Sequence, residues 1–259
     1  MVIGGGVAGL CAAFVAKERG HEVTLYEAGE KLGGNMRLAA YPPGKGDITN
    51  MIRSYIHRCQ KDGVKIVMNC EVTPELIKEE KPDSVIIATG SKTLILPIEG
   101  IDNPAIIHGS DLLDGKRAAG KKVLVVGGGM VGCETAAFLG EQEHDVTVIE
   151  FRDTVGADVI HEHRVYLMKD FEDYGIKEIT GAKVCKFYED GVEYETADGV
   201  RHESRGYDSV ILSMGFRNYN PLEEKIKDLV PETHVIGDAI RARRALDATK
   251  EAYEVASRI

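Results

Sequence analysis

The chain has 259 residues and a formal net charge of −10, with 43% apolar and 29% charged residues. An acidic surface of this kind repels phosphate backbones and anionic lipid, so nucleic acid and membrane surfaces are not expected as partners. No apolar run approaches the roughly 20 residues that cross a bilayer, and no basic-then-apolar leader with a cleavage site opens the chain, so it reads as a cytoplasmic protein of one large or two ordinary domains.

Val2-Ile3-Gly4-Gly5-Gly6-Val7-Ala8-Gly9 opens the sequence as a β-branched pair followed by glycines spaced GxGxxG. Residues 10–19 predict a helix, with Leu10, Ala13, Phe14 and Lys17 along one side and Gly20 as its stop. Residues 23–26 predict a buried parallel strand ending at Glu27. Residues 50–61 carry Met51, Ile52, Tyr55, Ile56 and Cys59 at helical spacing and lead to a strand at 65–68. Asp83-Ser84-Val85-Ile86-Ile87-Ala88-Thr89-Gly90 is a further apolar strand, and the polar, basic residues 109–122 read as a crossover.

The opening then recurs. Val125-Val126-Gly127-Gly128-Gly129-Met130-Val131-Gly132 renews the glycine motif, with its helix predicted over 131–139. Val146-Thr147-Val148-Ile149-Glu150 renews Val23 to Glu27, and Asp208-Ser209-Val210-Ile211-Leu212-Ser213-Met214-Gly215 renews Asp83 to Gly90. Between them lie a helix over 166–174, stopped by Gly175, and short strands over 176–200 that turn at Asp190-Gly191 and Asp198-Gly199. One spacing relates Gly4 to Gly127 and Glu27 to Glu150, so the chain holds two versions of one unit. Alternating strands and helices imply parallel βαβ units. The expected fold is therefore three-layer α/β with two Rossmann-like units. Because no third fingerprint follows Gly215, the tail is expected to complete the first: 1–108 with 219–259, and 109–218 inserted between them.

Each glycine has a physical task. Gly4 and Gly127 permit the tight turn, Gly6 and Gly129 let backbone approach a pyrophosphate, and Gly9 and Gly132 let helix and strand pack closely. The helix that follows presents unpaired N–H groups and its positive end to the phosphates, and Glu27 and Glu150 are placed to accept from a ribose diol. A carboxylate beside a 2′-phosphate is repulsive, so Glu150 favours NADH over NADPH, while Arg152 nearby pulls the other way. Five scattered cysteines form no CxxC or CxxxxC pair and read as small buried apolar residues. Glu134 reads as a surface charge complementing the helix dipole, or else as a contact on the nicotinamide side. His161 and His163 point apart on a helix, so no metal is expected there. Arg241, Arg243 and Arg244 leave anion or flavin contact and ordinary surface pairing both open. No catalytic triad or paired carboxylates stand out; hydride transfer needs none, so no catalytic side chain is named.

Paired fingerprints, Ala88-Thr89-Gly90 at a strand end, and Thr233-His234-Val235-Ile236-Gly237-Asp238 together resemble the two-dinucleotide flavoproteins, such as glutathione reductase, thioredoxin reductase and the glutamate synthase small subunit. Leu32-Gly33-Gly34, Pro42-Pro43-Gly44-Lys45, and Gly237-Asp238 followed by Arg243-Arg244, Asp247-Ala248 and Glu251-Ala252-Tyr253 resemble more closely the C-terminal part of old-yellow-enzyme-like reductases. That family includes 2,4-dienoyl-CoA reductase, 2-enoate reductase, trimethylamine dehydrogenase and related NADH oxidases. The resemblance covers essentially the whole chain and implies a glutathione-reductase-like fold. It implies FAD on Gly4, Gly6, Gly9, Glu27, Gly34, the backbone of Val72, Thr89, Gly90, Gly237 and Asp238, with a helix from about Leu246 aimed at the flavin. It implies NADH on Gly127, Gly129, Gly132, Glu150 and Gly215, while Asn35 stands where relatives often carry Gln.

Two departures shape the functional expectation. Disulfide reductases have a cysteine pair beside the flavin, and this sequence has none. The larger relatives carry an FMN barrel and a four-cysteine iron–sulfur (4Fe-4S) segment ahead of this region. Only Met1, Val2 and Ile3 precede Gly4, against an ordinary strand of about 5 residues, so the chain is expected to be a piece of a longer polypeptide with a weakened hold on FAD. The leading expectation is a module in which NADH reduces FAD, which passes electrons to an iron–sulfur cluster and FMN in that N-terminal barrel for reduction of an enoate-type substrate. The alternatives are a nucleotide-binding structural module without turnover and a stand-alone NADH oxidase.

Overall fold

Short apolar strands that each feed a helix through a tight turn build the same sheet twice. The computed structural model describes residues 1–259 and shows two compact units, Met1–Ala40 with Gly46–Lys92 and Phe216–Ile259, and Tyr41–Lys45 with Thr93–Gly215. The first has a five-stranded parallel sheet in the order Glu232–Val235, Ser84–Ile87, Val2–Ile3, Thr24–Tyr26, Lys65–Val67. The second has the order Ile107–His108, Ser209–Leu212, Lys122–Val126, Asp145–Ile149, Lys177–Ile179; its last four strands repeat those of the first, while its edge strand Ile107–His108 precedes them in sequence where Glu232–Val235 follows them. Ile3 pairs with Tyr26 as Val126 pairs with Ile149, so the repeat seen in sequence is a repeat of register. The α/β, Rossmann-like architecture is as expected.

In each unit the helix after the glycine loop is the centre of the core. Val7–Glu18 is buried from Val7 to Ala16, and Met130–Glu141 buries most of its length. A helix enclosed on every side needs no apolar stripe, which is why periodicity placed its ends poorly. Both begin earlier than expected, directly on Gly6 and Gly129 in extended conformation. The alanines Ala248, Ala252 and Ala256 of helix Ala245–Ala256 join the same core cluster as Ala12, Ala13 and Ala16 of Val7–Glu18. Helix Asp47–Lys61 covers that core from another side, with Tyr55 edge-on to Phe14 at 5.2 Å.

Several boundaries differ from the sequence expectation. The chain passes between units after Lys92 and after Gly215, not at 108/109 and 218/219. Residues 109–122, expected as the crossover, lie inside the second unit, because the two-residue strand Ile107–His108 already pairs with Ser209–Leu212. A strand that short carries no readable alternation. The predicted helix over 166–174 spans His161–Asp173. Lys183–Tyr188, Gly191–Glu195 and Arg201–Ser204 form a separate antiparallel sheet. Its first turn is centred on Glu189 and Asp190, and Gly191 already belongs to a strand: a Cβ there would stand 2.0 Å from the Ser204 carbonyl oxygen.

Cys11, Cys59 and Cys133 are buried, while Cys70 and Cys185 are half-exposed. Burial pushes the Cys11 and Cys59 thiols up to about 11 and that of Cys133 up to about 12. A thiol reagent at pH 8 should therefore modify Cys70 and Cys185 quickly and the other three only on unfolding. An acid whose folded pKa is raised stabilises the fold below its unfolded value, here about 9. That contribution is lost as pH climbs through the folded value. The melting temperature should thus fall between about pH 9 and 12, and a mass-resolved labelling series run beside the melts checks both points.

Candidate functional site

The two glycine loops superimpose in their constraints. Gly4 and Gly127 have φ of +106° and +107°, and a Cβ on either would stand 2.3 or 2.5 Å from a backbone oxygen, of Ala88 and Ser213 respectively. On Gly9 or Gly132 it would lie 1.8 Å from the carbonyl oxygen of Gly4 or Gly127, so only glycine lets helix and strand come this close. Gly6 is different: a Cβ there meets nothing within 4 Å, and at Gly129 the three nearest atoms all belong to the Asp158 side chain. An open face at the second glycine, set before a helix N-terminus, is what a diphosphate requires. The residues present fit a dinucleotide in both units.

Glu27 and Glu150 perform a task that sequence spacing did not reveal. Glu27 accepts from the Gly5 N–H at 2.7 Å and, through its other oxygen, from the Gly29 N–H at 2.7 Å. Glu150 accepts from Gly128 at 2.6 Å and Arg152 at 2.9 Å. Each carboxylate clips the glycine loop to the turn after the neighbouring strand. Its oxygens keep lone pairs for a ribose diol.

A second loop closes on each clip. Gly33 donates to the Gly5 carbonyl at 2.8 Å, and Gly156 donates to that of Gly128 at 2.7 Å. Gly34, at φ +54°, follows Gly33 and stands against Gly6. In the second unit these elements enclose a cavity of about 500 Å³, lined in part by Gly127, Gly129, Met130, Glu150, Asp158 and Gly215. Gly132 lies beneath it in the helix–strand contact.

In the first unit, Thr89 Oγ1 donates to the Tyr219 carbonyl at 2.6 Å and the Gly90 carbonyl accepts from Tyr219 N–H, so both tie down the returning chain. Asp238 accepts from Ser91 Oγ at 2.9 Å and from the Arg243 N–H at 3.1 Å. The Gly237 N–H donates to Glu251 Oε2 at 2.8 Å, and Glu251 also pairs with Arg243. Of the three arginines, Arg243 is thus an internal partner. Val72 is a core residue beneath the sheet. The last helix starts at Ala245, one residue before the expected Leu246, and Asp247 in its first turn accepts from the Arg244 N–H at 3.2 Å.

The surface role expected for Glu134 does not hold. Glu134 is the fifth residue of its helix and 5% exposed; it forms an ion pair with Lys45 and a 3.2 Å contact with His163 Nε2. A carboxylate at that depth must be paired, and its lysine comes from Tyr41–Lys45, the segment that packs with the second unit. Lys45 directly follows the rigid Pro42-Pro43-Gly44 turn, and nothing local to either segment signals the pair. His161, on the same helix as His163, instead lines a shallow surface hollow with Arg164 and Met168.

Known proteins agree with this geometry. Residues 1–234 match the pyridine nucleotide-disulphide oxidoreductases, and the chain belongs to that family. It is 33% identical to a cinnamate reductase of Clostridium sporogenes, over all of this chain and 39% of that protein. It is 34% identical to an NADH oxidase of Thermoanaerobacter brockii, over all of this chain and 40% of that protein. The solved structure of a 2-naphthoyl-CoA reductase superimposes with a TM-score of 0.94 at 32% identity, covering 100% of this chain and 39% of that one. The chain spans about 40% of the length of the curated relatives it matches. The expected likeness to reductases of the enoate type is borne out.

Two substitutions test the site as a structure. Glu150→Gln leaves one of the Gly128 and Arg152 N–H groups without an acceptor and should lower stability by roughly 1–3 kcal/mol in chemical denaturation. Lys45→Met leaves the buried Glu134 carboxylate with only its His163 contact and should cost about 3 kcal/mol. A Lys45→Met, Glu134→Met double variant should recover most of that loss.

Proposed function

We propose that the chain is the NADH:flavin oxidoreductase module of a longer reductase. The first unit holds FAD through Gly4, Gly6, Gly9, Glu27, Gly34, Val72, Thr89, Gly90, Gly237 and Asp238. The second holds NADH through Gly127, Gly129, Gly132, Glu150 and Gly215. The observation that carries this reading is the paired loop in which a strained first glycine, a close-packed third glycine and a doubly bonded glutamate recur with the same geometry. When bound, the flavin accepts a hydride from the reduced nicotinamide and releases its electrons onward.

The chain's own residues bind and orient. The amides after Gly6 and Gly129 and the positive helix ends behind them receive the diphosphates. Glu27 and Glu150 receive the riboses while holding their loops in place. The carboxylate of Glu150 opposes a 2′-phosphate, which selects NADH over NADPH. No side chain of the chain is assigned a proton-transfer role. The names of the relatives support a destination: a cinnamate reductase and a 2-naphthoyl-CoA reductase each have most of their length outside the matched region. We place an FMN barrel and a 4Fe-4S segment there, with an enoate or enoyl-type acceptor. The NADH oxidase likeness supports dioxygen as an alternative acceptor.

Anaerobic stopped-flow mixing of FAD-loaded protein with NADH should bleach the flavin band, and NADPH should do so much more slowly. Glu150→Gln should narrow the difference between the two coenzymes. Flavin that stays oxidised with either coenzyme would leave a structural nucleotide module without turnover. Steady NADH consumption in air by this chain alone would favour the oxidase.

A further inference from the structure

In the second unit a side chain already stands where a diphosphate would sit. Helix Met130–Glu141 starts on Gly129 with no cap from its N-cap residue. Its first N–H, from Met130, donates instead to Asp158 Oδ1 at 2.9 Å, across 28 residues of sequence. A Cβ on Gly129 would meet Asp158 Oδ2 at 3.3 Å and Oδ1 at 3.5 Å, and Asp158 lines the cavity that Gly127, Gly129, Met130 and Glu150 also line. The positive end of the helix stabilises this carboxylate for the same reason that it would stabilise a phosphate. Two anions cannot share the position.

The first unit supplies the contrast. The spacing that pairs Gly33 with Gly156, each donating to its own glycine loop, also pairs Asn35 with Asp158. Asn35 is neutral, and its Nδ2 donates to Ser91 Oγ at 3.2 Å. Helix Val7–Glu18 has no side-chain cap, and the space at Gly6 is open.

We infer that Asp158 is an anionic placeholder that competes with the diphosphate of the second nucleotide, weakening its binding so that it exchanges. The neutral Asn35 leaves the first position free for a nucleotide that stays. The inference rests on reading the second unit as the pyridine-nucleotide site. Clearing the position needs little movement. Asp158 is exposed and turns about two side-chain bonds, whereas the loop before it is held by Gly156 on Gly128 and by Arg164 on Thr154 and Val155.

Equilibrium titration of the chain with NADH, ADP-ribose and adenosine tests this. Asp158→Asn keeps an acceptor for the Met130 N–H but loses the charge; Asp158→Ala loses both. NADH and ADP-ribose should bind roughly two- to fivefold more tightly to Asp158→Asn, the range expected for removing one exposed charge at a helix end. Asp158→Ala should gain at least as much. Adenosine, which has no diphosphate, should bind each protein equally. A variant that keeps the wild-type melting temperature but binds NADH no more tightly overturns the placeholder and leaves the coenzyme site standing. An equal gain for adenosine also overturns it. If neither wild type nor variants bind NADH, the coenzyme reading falls together with it.

Discussion

A glutamate that accepts two backbone N–H groups is the constraint on which each unit depends. Glu27 reaches Gly5 and Gly29, and Glu150 reaches Gly128 and Arg152. The middle glycine of each loop is buried, so its N–H would otherwise be without a partner, at a cost of about 1–3 kcal/mol. Hydrogen bonds to a charged acceptor are the stronger kind. The clip therefore holds a loop that has no side chains of its own with which to pack. With the loop fixed, Gly6 faces open space, Gly129 faces only the exposed Asp158 side chain, and a helix starts behind each. A single acid residue thus shapes the loop and remains available to a sugar.

The two units are versions of one design that differ by small changes. Four of the five strands follow the same order in both sheets, and the glycine loops are matched to within a degree in φ at Gly4 and Gly127. What differs lies around the loop: an amide at position 35 against a carboxylate at 158, and in the second unit the buried Glu134 with its half-buried partners Lys45 and His163. One charge at a helix end changes affinity for an anion without changing the fold.

Most of this fold was legible in the residues. Glycine positions, β-branched strands and the glutamates at strand ends are local signals, and all recurred in register. Less legible was whatever depended on partners far along the chain. Lys45 meets Glu134 across 89 residues, and no pattern within either segment announces it. The clip formed by Glu150 was hidden because it uses backbone N–H groups, which every sequence possesses. The unit boundary was missed because Ile107–His108 is too short to show a period. Gly191 looked like a turn residue, yet it is required by the neighbouring strand's carbonyl, a close approach that has no sequence signature.

The family's name mentions disulphides, and the placement of the cysteines bears on that chemistry. Cys133 Sγ contacts the Gly128 carbonyl at 3.2 Å and Cys59 Sγ that of Leu10 at 3.4 Å, so these thiols act as small donors within the two cores. Exchange with a disulfide needs a thiolate. Thiols raised to about 11 and 12 by burial are almost wholly protonated at neutral pH, and Cys11 is in the same condition. Cys70 and Cys185 are accessible but lie far apart in sequence, on different units. A chain with this arrangement can keep the nucleotide-binding half of its family's chemistry without the dithiol half.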